Sequence, residues 1–198
     1  MGRTGFFGGT FNPVHNGHIH LAEAAYDFLG LDRLIFVPAN VPPHKETSCL
    51  VSGNDRLEMC RLAVENHSGF EVSDFELNQG GKSYSVYTAE HFSKMYPDDE
   101  LFMMTGSDML LSFDKWYRFE DILKMVTLAV VSREYDDTEI LRKKAQELSE
   151  YGKVIIVSAE PYPVSSTEIR NRIGSGQNYS CYLPEKVVQY IRLNSLYI

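Results

Sequence analysis

The chain reads as an α/β protein, a doubly wound, mainly parallel sheet with helices on both faces. Three observations predict this. The runs R-L-I-F-V (33–37), L-F-M-M-T (101–105), T-L-A-V-V-S (127–132) and V-I-I-V-S (154–158) are apolar without alternation, as strands buried on both faces are. Segments of helical period lie between them, and strands that alternate with helices imply parallel pairing through crossovers. The 198 residues are 43% hydrophobic and 23% charged. A chain of that size buries about 70% of its extended surface, so it can hold one core. A single domain over 1–198 is expected, with closing helices from about residue 165.

The elements follow in order. Thr4–Phe7 is a short strand, and Gly17–Leu29 a helix with Leu21, Ala22, Ala25, Phe28 and Leu29 on one face. Arg33–Val37 is a strand stopped by Pro38, and 39–53 is irregular around Pro42-Pro43. Asn54 caps a helix to Glu65, with Leu57, Cys60, Leu62 and Val64 apolar. Phe70–Leu77 alternates as a strand does, and Ser83 or Ser85 opens a helix that ends near Tyr96-Pro97. Strand 101–105, helix 119–125 and strand 127–132 come next. A charged helix spans Asp137–Tyr151, with Gly152 as its stop, and 136–150 reads as a solvated face without function. Strand 154–158 precedes two last helices, Ser166–Ile173 and Pro184–Leu193.

Bulk properties exclude several classes. The net charge of −8 opposes a general nucleic-acid binder, yet local cations and backbone N–H groups still suffice for small anions. Cys49, Cys60 and Cys181 form neither a disulfide framework nor a C-x-x-C pair. No apolar run approaches membrane-spanning length, and the start runs directly into G-F-F-G-G, unlike a signal peptide. The expectation is a cytoplasmic protein without nucleic-acid or membrane partners.

In a doubly wound sheet, ligands bind beyond the carboxyl ends of the strands. After the first strand stands G-G-T-F-N-P-V-H-N-G-H-I-H, Gly8–His20. Gly8 and Gly9 permit a sharp turn and close approach to a ligand, and Asn16 caps the next helix. Free N–H groups at that helix start suit phosphate, with His15 and His18 bracketing it. H-x-x-H-x-H also offers three imidazoles to a metal, but His20 points away from His18 and supporting acids are missing nearby. A phosphate cradle is the better account, against a metal cluster or an incidental loop. Lys45, after Pro42-Pro43, suits a phosphate clamp. G-G-K-S (80–83) is no P-loop, because Glu76 stands where that motif needs glycine. Asp108 in G-S-D (106–108) suits a ribose hydroxyl or hydrated Mg²⁺, and Trp116, beside Lys115 and Tyr117, suits a stacking platform. In V-S-S-T-E-I-R (164–170) hydroxyls, a helix start and Arg170 make a second phosphate site.

These segments together resemble one family. H-N-G-H (15–18) resembles the H-x-G-H signature of the nucleotidylyltransferase superfamily, and S-S-T-E-I-R (165–170) its second signature, S-S-T-x-I-R. With P-P-H-K, K-S-Y-S, G-S-D and W-Y in this order, the chain resembles the bacterial nicotinate mononucleotide adenylyltransferases from Gly8 to Arg170. The resemblance implies a Rossmann-like domain that moves AMP from ATP onto nicotinate mononucleotide in NAD biosynthesis. It implies that Gly8, Gly9, Thr10, Phe11, His15, His18, Gly106, Ser166, Thr167, Ile169 and Arg170 meet ATP. Lys45, Tyr84, Ser85, Asp108, Trp116 and Tyr117 would hold the mononucleotide, and His15, His18, Lys45 and Arg170 would be catalytic. Mg²⁺ would arrive with ATP, with no protein-held metal site, and a homo-oligomer stays open. Asn12 departs from the family's more usual Asp, and Ser85 from a frequent Thr.

The chemistry needs no general base. A phosphate monoester, with its second pKa near ~6, is mostly ionised at neutral pH. The barrier lies in bringing two anions together and stabilising charge on departing pyrophosphate, which is work for positioning and electrostatics. Alternatives stay open in pantetheine-phosphate or nicotinamide-mononucleotide adenylyltransfer, and in a nucleotide sensor without catalysis. A nicotinamide-dependent oxidoreductase would need G-x-G-x-x-G where G-F-F-G-G-T stands.

Overall fold

The computed structural model describes residues 1–41, 50–132 and 138–198. Six strands form one sheet: β1 (Arg3–Gly9), β2 (Arg33–Pro38), β3 (Phe70–Val72), β4 (Glu100–Gly106), β5 (Thr127–Ser132) and β6 (Val154–Ser158). Their order is β3-β2-β1-β4-β5-β6. The winding reverses between β1 and β4, the place where doubly wound sheets bind ligands. The helices are α1 (Asn16–Leu29), α2 (Gly53–Val64), α3 (Phe75–Gln79), α4 (Ser85–Met95), α5 (Ser107–Leu110), α6 (Phe119–Met125), α7 (Thr138–Leu148), α8 (Ser166–Gly174) and α9 (Glu185–Leu193). The α/β class expected from the alternation is the one observed.

The described residues form two compact units. The first holds 1–8, 21–35 and 84–161. Its strands β1, β4, β5 and β6 pair in parallel, with Phe6 opposite Met103 and Met104 opposite Ala129. All six β5 residues are buried, as befits a strand covered on both faces. Phe6 packs on Phe92 of α4 at 5.2 Å. The second unit holds 9–20, 36–83 and 162–198. Its core includes Phe11, Phe36, Met59, Cys60, Ile169 and Val187.

Several expectations are corrected. Strand β3 stops at Val72, because the Ser73 hydroxyl accepts the Phe75 N–H and starts the short α3, in which Glu76 is buried. The cap of α2 is Ser52, not Asn54: its hydroxyl accepts the Asp55 N–H at 3.1 Å. Helix α1 begins at Asn16, so the cap position falls to His15, whose carbonyl accepts the His18 and Ile19 N–H groups. Phe28 is 63% exposed, at the edge of an arc whose buried members are Leu21, Ala22, Ala25 and Leu29. Gly152 is no helix stop, since α7 ends at Leu148. A Cβ at Gly152 would meet the Leu123 carbonyl oxygen at 2.1 Å, so close backbone approach requires glycine there.

Candidate active site

The expected residues divide between the units. Gly9, Thr10, Phe11, His15, His18, Ser166, Thr167, Ile169 and Arg170 belong to the second, and Gly8, Tyr84, Ser85, Gly106, Asp108, Trp116 and Tyr117 to the first. Lys45 lies outside the described residues.

In the second unit, strand β1 delivers the chain into a turn held by Arg56. This guanidinium, 1% exposed, donates to the Thr10 carbonyl at 2.8 Å and to those of Val51 and Asn40 at 3.3 Å. Phe11 is 2% exposed with φ of 47°, a left-handed conformation that bulky residues rarely adopt and that surrounding structure must enforce. Its ring meets His18 edge-on at 5.1 Å, and a Cβ at Gly9 would come within 2.8 Å of it.

His15 and His18 do not bracket a space. Their rings stack, with centroids 3.7 Å apart. The cause is local: the His18 ring turns back along α1, and its Nδ1 accepts the His15 N–H at 3.2 Å. A neutral His18 therefore carries its proton on Nε2, as a donor. Gly17 fits the tight space between them, because a Cβ there would stand 2.9 Å from Val164 Cγ1 and 3.1 Å from His15 Nδ1. His20 lies apart, its ring 5.9 Å from Tyr162. Among the described residues no three His, Cys, Asp or Glu side chains gather as metal ligands.

Helix α8 reaches the same loop. Ser165 caps it by accepting the Glu168 N–H, Ser166 Oγ donates to the Pro13 carbonyl at 2.9 Å, and Arg170 Nη1 donates to the Asn12 carbonyl at 2.8 Å. The second signature is thus bonded directly to the loop that leads into the first, Arg170 reaching Asn12 across 158 residues. Ile169 is fully buried in the core of the second unit. Asn12, the departure from Asp, accepts the Val51 N–H and the Tyr197 hydroxyl on Oδ1.

In the first unit, Tyr84 precedes α4 and its ring lies 5.0 Å from that of Tyr117. Tyr87, one helical turn on, joins both at 6.3 Å, and its hydrogen bond to Tyr117 holds its phenol above the usual tyrosine range. Trp116 is half-buried on Phe113 at 5.0 Å. Asp108 is exposed and folds back on Gly106, where a Cβ would lie 2.7 Å from its Oδ1. Lys144 of α7 binds Asp114 at 3.1 Å, and this bond holds the Asp114 carboxyl below its usual range. The charged helix therefore braces the Trp116 turn. Sequence reasoning missed Arg56, Tyr87, Lys144 and Tyr197; only Tyr87, three positions after Tyr84, left a local signal.

The cytidylyltransferase-like family model matches residues 6–172. The chain belongs to the cytidylyltransferase-like family. A Clostridium tetani relative named probable nicotinate-nucleotide adenylyltransferase is 38% identical over 199 residues, covering 100% of both chains. A Clostridium botulinum relative of the same name is 38% identical over 193 residues, 96% of each. The fold matches a Plasmodium falciparum nicotinic acid mononucleotide adenylyltransferase complexed with NaAD, at a TM-score of 0.82 and 16% identity, covering 100% of this chain and 98% of that one.

Proposed function

We propose that this protein transfers AMP from ATP to nicotinate mononucleotide, giving nicotinate adenine dinucleotide and pyrophosphate. The observation that carries the reading is the His15–His18 pair fixed at the start of α1, with Arg170 bonded to the loop that bears it. Full-length relatives that carry the name of this activity support the choice of substrates.

A phosphate oxygen of the mononucleotide attacks the α-phosphorus of ATP, and the bond to the β-phosphate bridging oxygen breaks. Charge grows on the departing pyrophosphate. His18 donates from Nε2, and His15 and Arg170 add donors. Gly8, Gly9, Thr10 and Phe11 line the nucleotide, with Gly106. Ser166, Thr167 and Ile169 close over it. Tyr84, Ser85, Asp108, Trp116 and Tyr117 take the pyridine mononucleotide, the indole stacking on its ring, and Lys45 meets phosphate. Mg²⁺ takes oxygen ligands, and Asn12 Oδ1 already accepts two bonds. The ion would come with the triphosphate. The reaction belongs in the cytoplasm, with its ATP.

Pyrophosphate release tests this, with ATP and, in turn, nicotinate mononucleotide, nicotinamide mononucleotide and phosphopantetheine. The first should be preferred; release with none of them favours a nucleotide sensor. His18→Ala should lower kcat by about 10²-fold or more while ATP KM changes far less. Near-normal turnover in that variant refutes the histidine role.

A further inference from the structure

Asn12 gathers bonds from three distant parts of the second unit. Its Oδ1 accepts the Val51 N–H at 3.3 Å and the Tyr197 hydroxyl at 2.9 Å, while its main-chain carbonyl accepts Arg170 Nη1 at 2.8 Å. The residue is 6% exposed, so water cannot replace a lost partner freely.

Tyr197 reaches it by a defined route. Helix α9 ends in a Schellman turn: the Leu196 N–H donates to the Ile191 carbonyl at 3.0 Å and the Ser195 N–H to that of Arg192 at 3.3 Å. Ser195 has φ of 50° and Tyr197 φ of 67°. Side-chain-bearing residues seldom adopt the left-handed region unless their surroundings demand it. Tyr190, on α9 itself, donates to Asp55 of α2 at 3.0 Å and fixes the helix from which the segment departs. Burial pushes the Tyr197 phenol well above the usual tyrosine range, against the opposing pull of Arg170 and Arg56, so it remains a donor across the working pH range.

We propose that Tyr197 is a positioning residue for the phosphate-handling loop, acting through Asn12, which in turn holds Arg170. This rests on the reading that loop 9–18 and Arg170 handle the triphosphate. Tyr197 makes the same peptide stretch rigid from its side-chain side that Arg170 grips from its main-chain side. Without it the Asn12 peptide can rotate and carry the Arg170 acceptor away.

Tyr197→Phe in the full chain keeps the ring and removes only the donor. We expect kcat to fall about five- to tenfold, the effect of one buried hydrogen bond, with the nicotinate mononucleotide KM unchanged. Asn12→Ala should lower kcat as well, and adding Tyr197→Phe to it should cost nothing further. Amide hydrogen exchange across residues 10–15 should speed up in Tyr197→Phe. Wild-type kcat in that variant, losses that multiply in the double variant, or unchanged exchange would each overturn the proposal. A wild-type protein that releases no pyrophosphate sinks the proposed activity instead, and the exchange measurement still decides the role of Tyr197 in holding the loop.

Discussion

Arg56 makes the sharpest stability prediction. It sits on α2, 1% exposed, and its three donating nitrogens serve the carbonyls of Thr10, Val51 and Asn40. Burial lowers its pKa, partly offset by nearby charges that include the buried Glu76. A lysine ammonium is a point donor and cannot span the fork of a guanidinium. Arg56→Lys should keep the short bond to Thr10 and orphan the two long ones. An orphaned buried acceptor costs about 1–3 kcal/mol, and these carbonyls belong to half-buried residues and sit at the lower end, so the loss is about 2 kcal/mol. Arg56→Met orphans all three and should cost about 3 kcal/mol. That is a large share of the stability of a domain, about 5–15 kcal/mol. Urea unfolding followed by circular dichroism reads both values from the midpoint shift at constant slope. A methionine variant within about 1 kcal/mol of wild type would show that these carbonyls find other partners, and the clamp would be discarded.

Two further perturbations probe the first loop and the sheet. Nothing stands within 4 Å of a Cβ built at Gly8, whereas one at Gly9 would strike the Phe11 ring. Gly8→Ala should fold as wild type and raise the ATP KM about tenfold by blocking close approach, whereas Gly9→Ala should lose about 1–3 kcal/mol of stability. Unchanged kinetics in Gly8→Ala removes that glycine from the site. Asp99 accepts the Thr4 hydroxyl and the Gly2 N–H, each at 2.8 Å, and the Thr4 bond leads in depressing its pKa. Its folded pKa lies below the unfolded value of about 3.9, so its contribution is complete above that pH and is lost as pH falls towards the folded pKa. Asp99→Asn should flatten the acid limb of the stability curve below about pH 4, and an unaltered limb counts against the assignment.

Much of this architecture was legible because its signals are local. An apolar run such as T-L-A-V-V-S reports a doubly covered strand, and H-N-G-H lies on contiguous residues. What escaped was non-local. Arg56 looks like a solvated charge on an amphipathic helix, and only the carbonyls of Thr10 and Asn40, 46 and 16 residues away, explain its burial. Asn12 gave no hint of its bond to Tyr197 across 185 residues. Lys144 likewise looked like one cation on a charged face until Asp114 came beside it. The 70–77 stretch failed differently: its alternation was real, but the Ser73 hydroxyl offered the backbone a competing turn. His15 and His18 were recognised by spacing, and spacing alone could not distinguish bracketing from stacking.

The bond from the His15 N–H to His18 Nδ1 has a consequence for transplanting this chemistry. A histidine that must present one particular nitrogen ordinarily borrows a carboxylate or carbonyl from elsewhere in a protein to settle its tautomer. Here the peptide three residues earlier does so, using a donor that every helix start leaves over. The module is therefore nearly self-contained: a glycine turn, two imidazoles with a glycine between them, and the first turn of α1. Grafted onto another parallel strand and helix, it would settle its own tautomer, and the host would need to supply the groups that hold the turn and meet phosphate, as Arg56, Tyr197 and Arg170 do here.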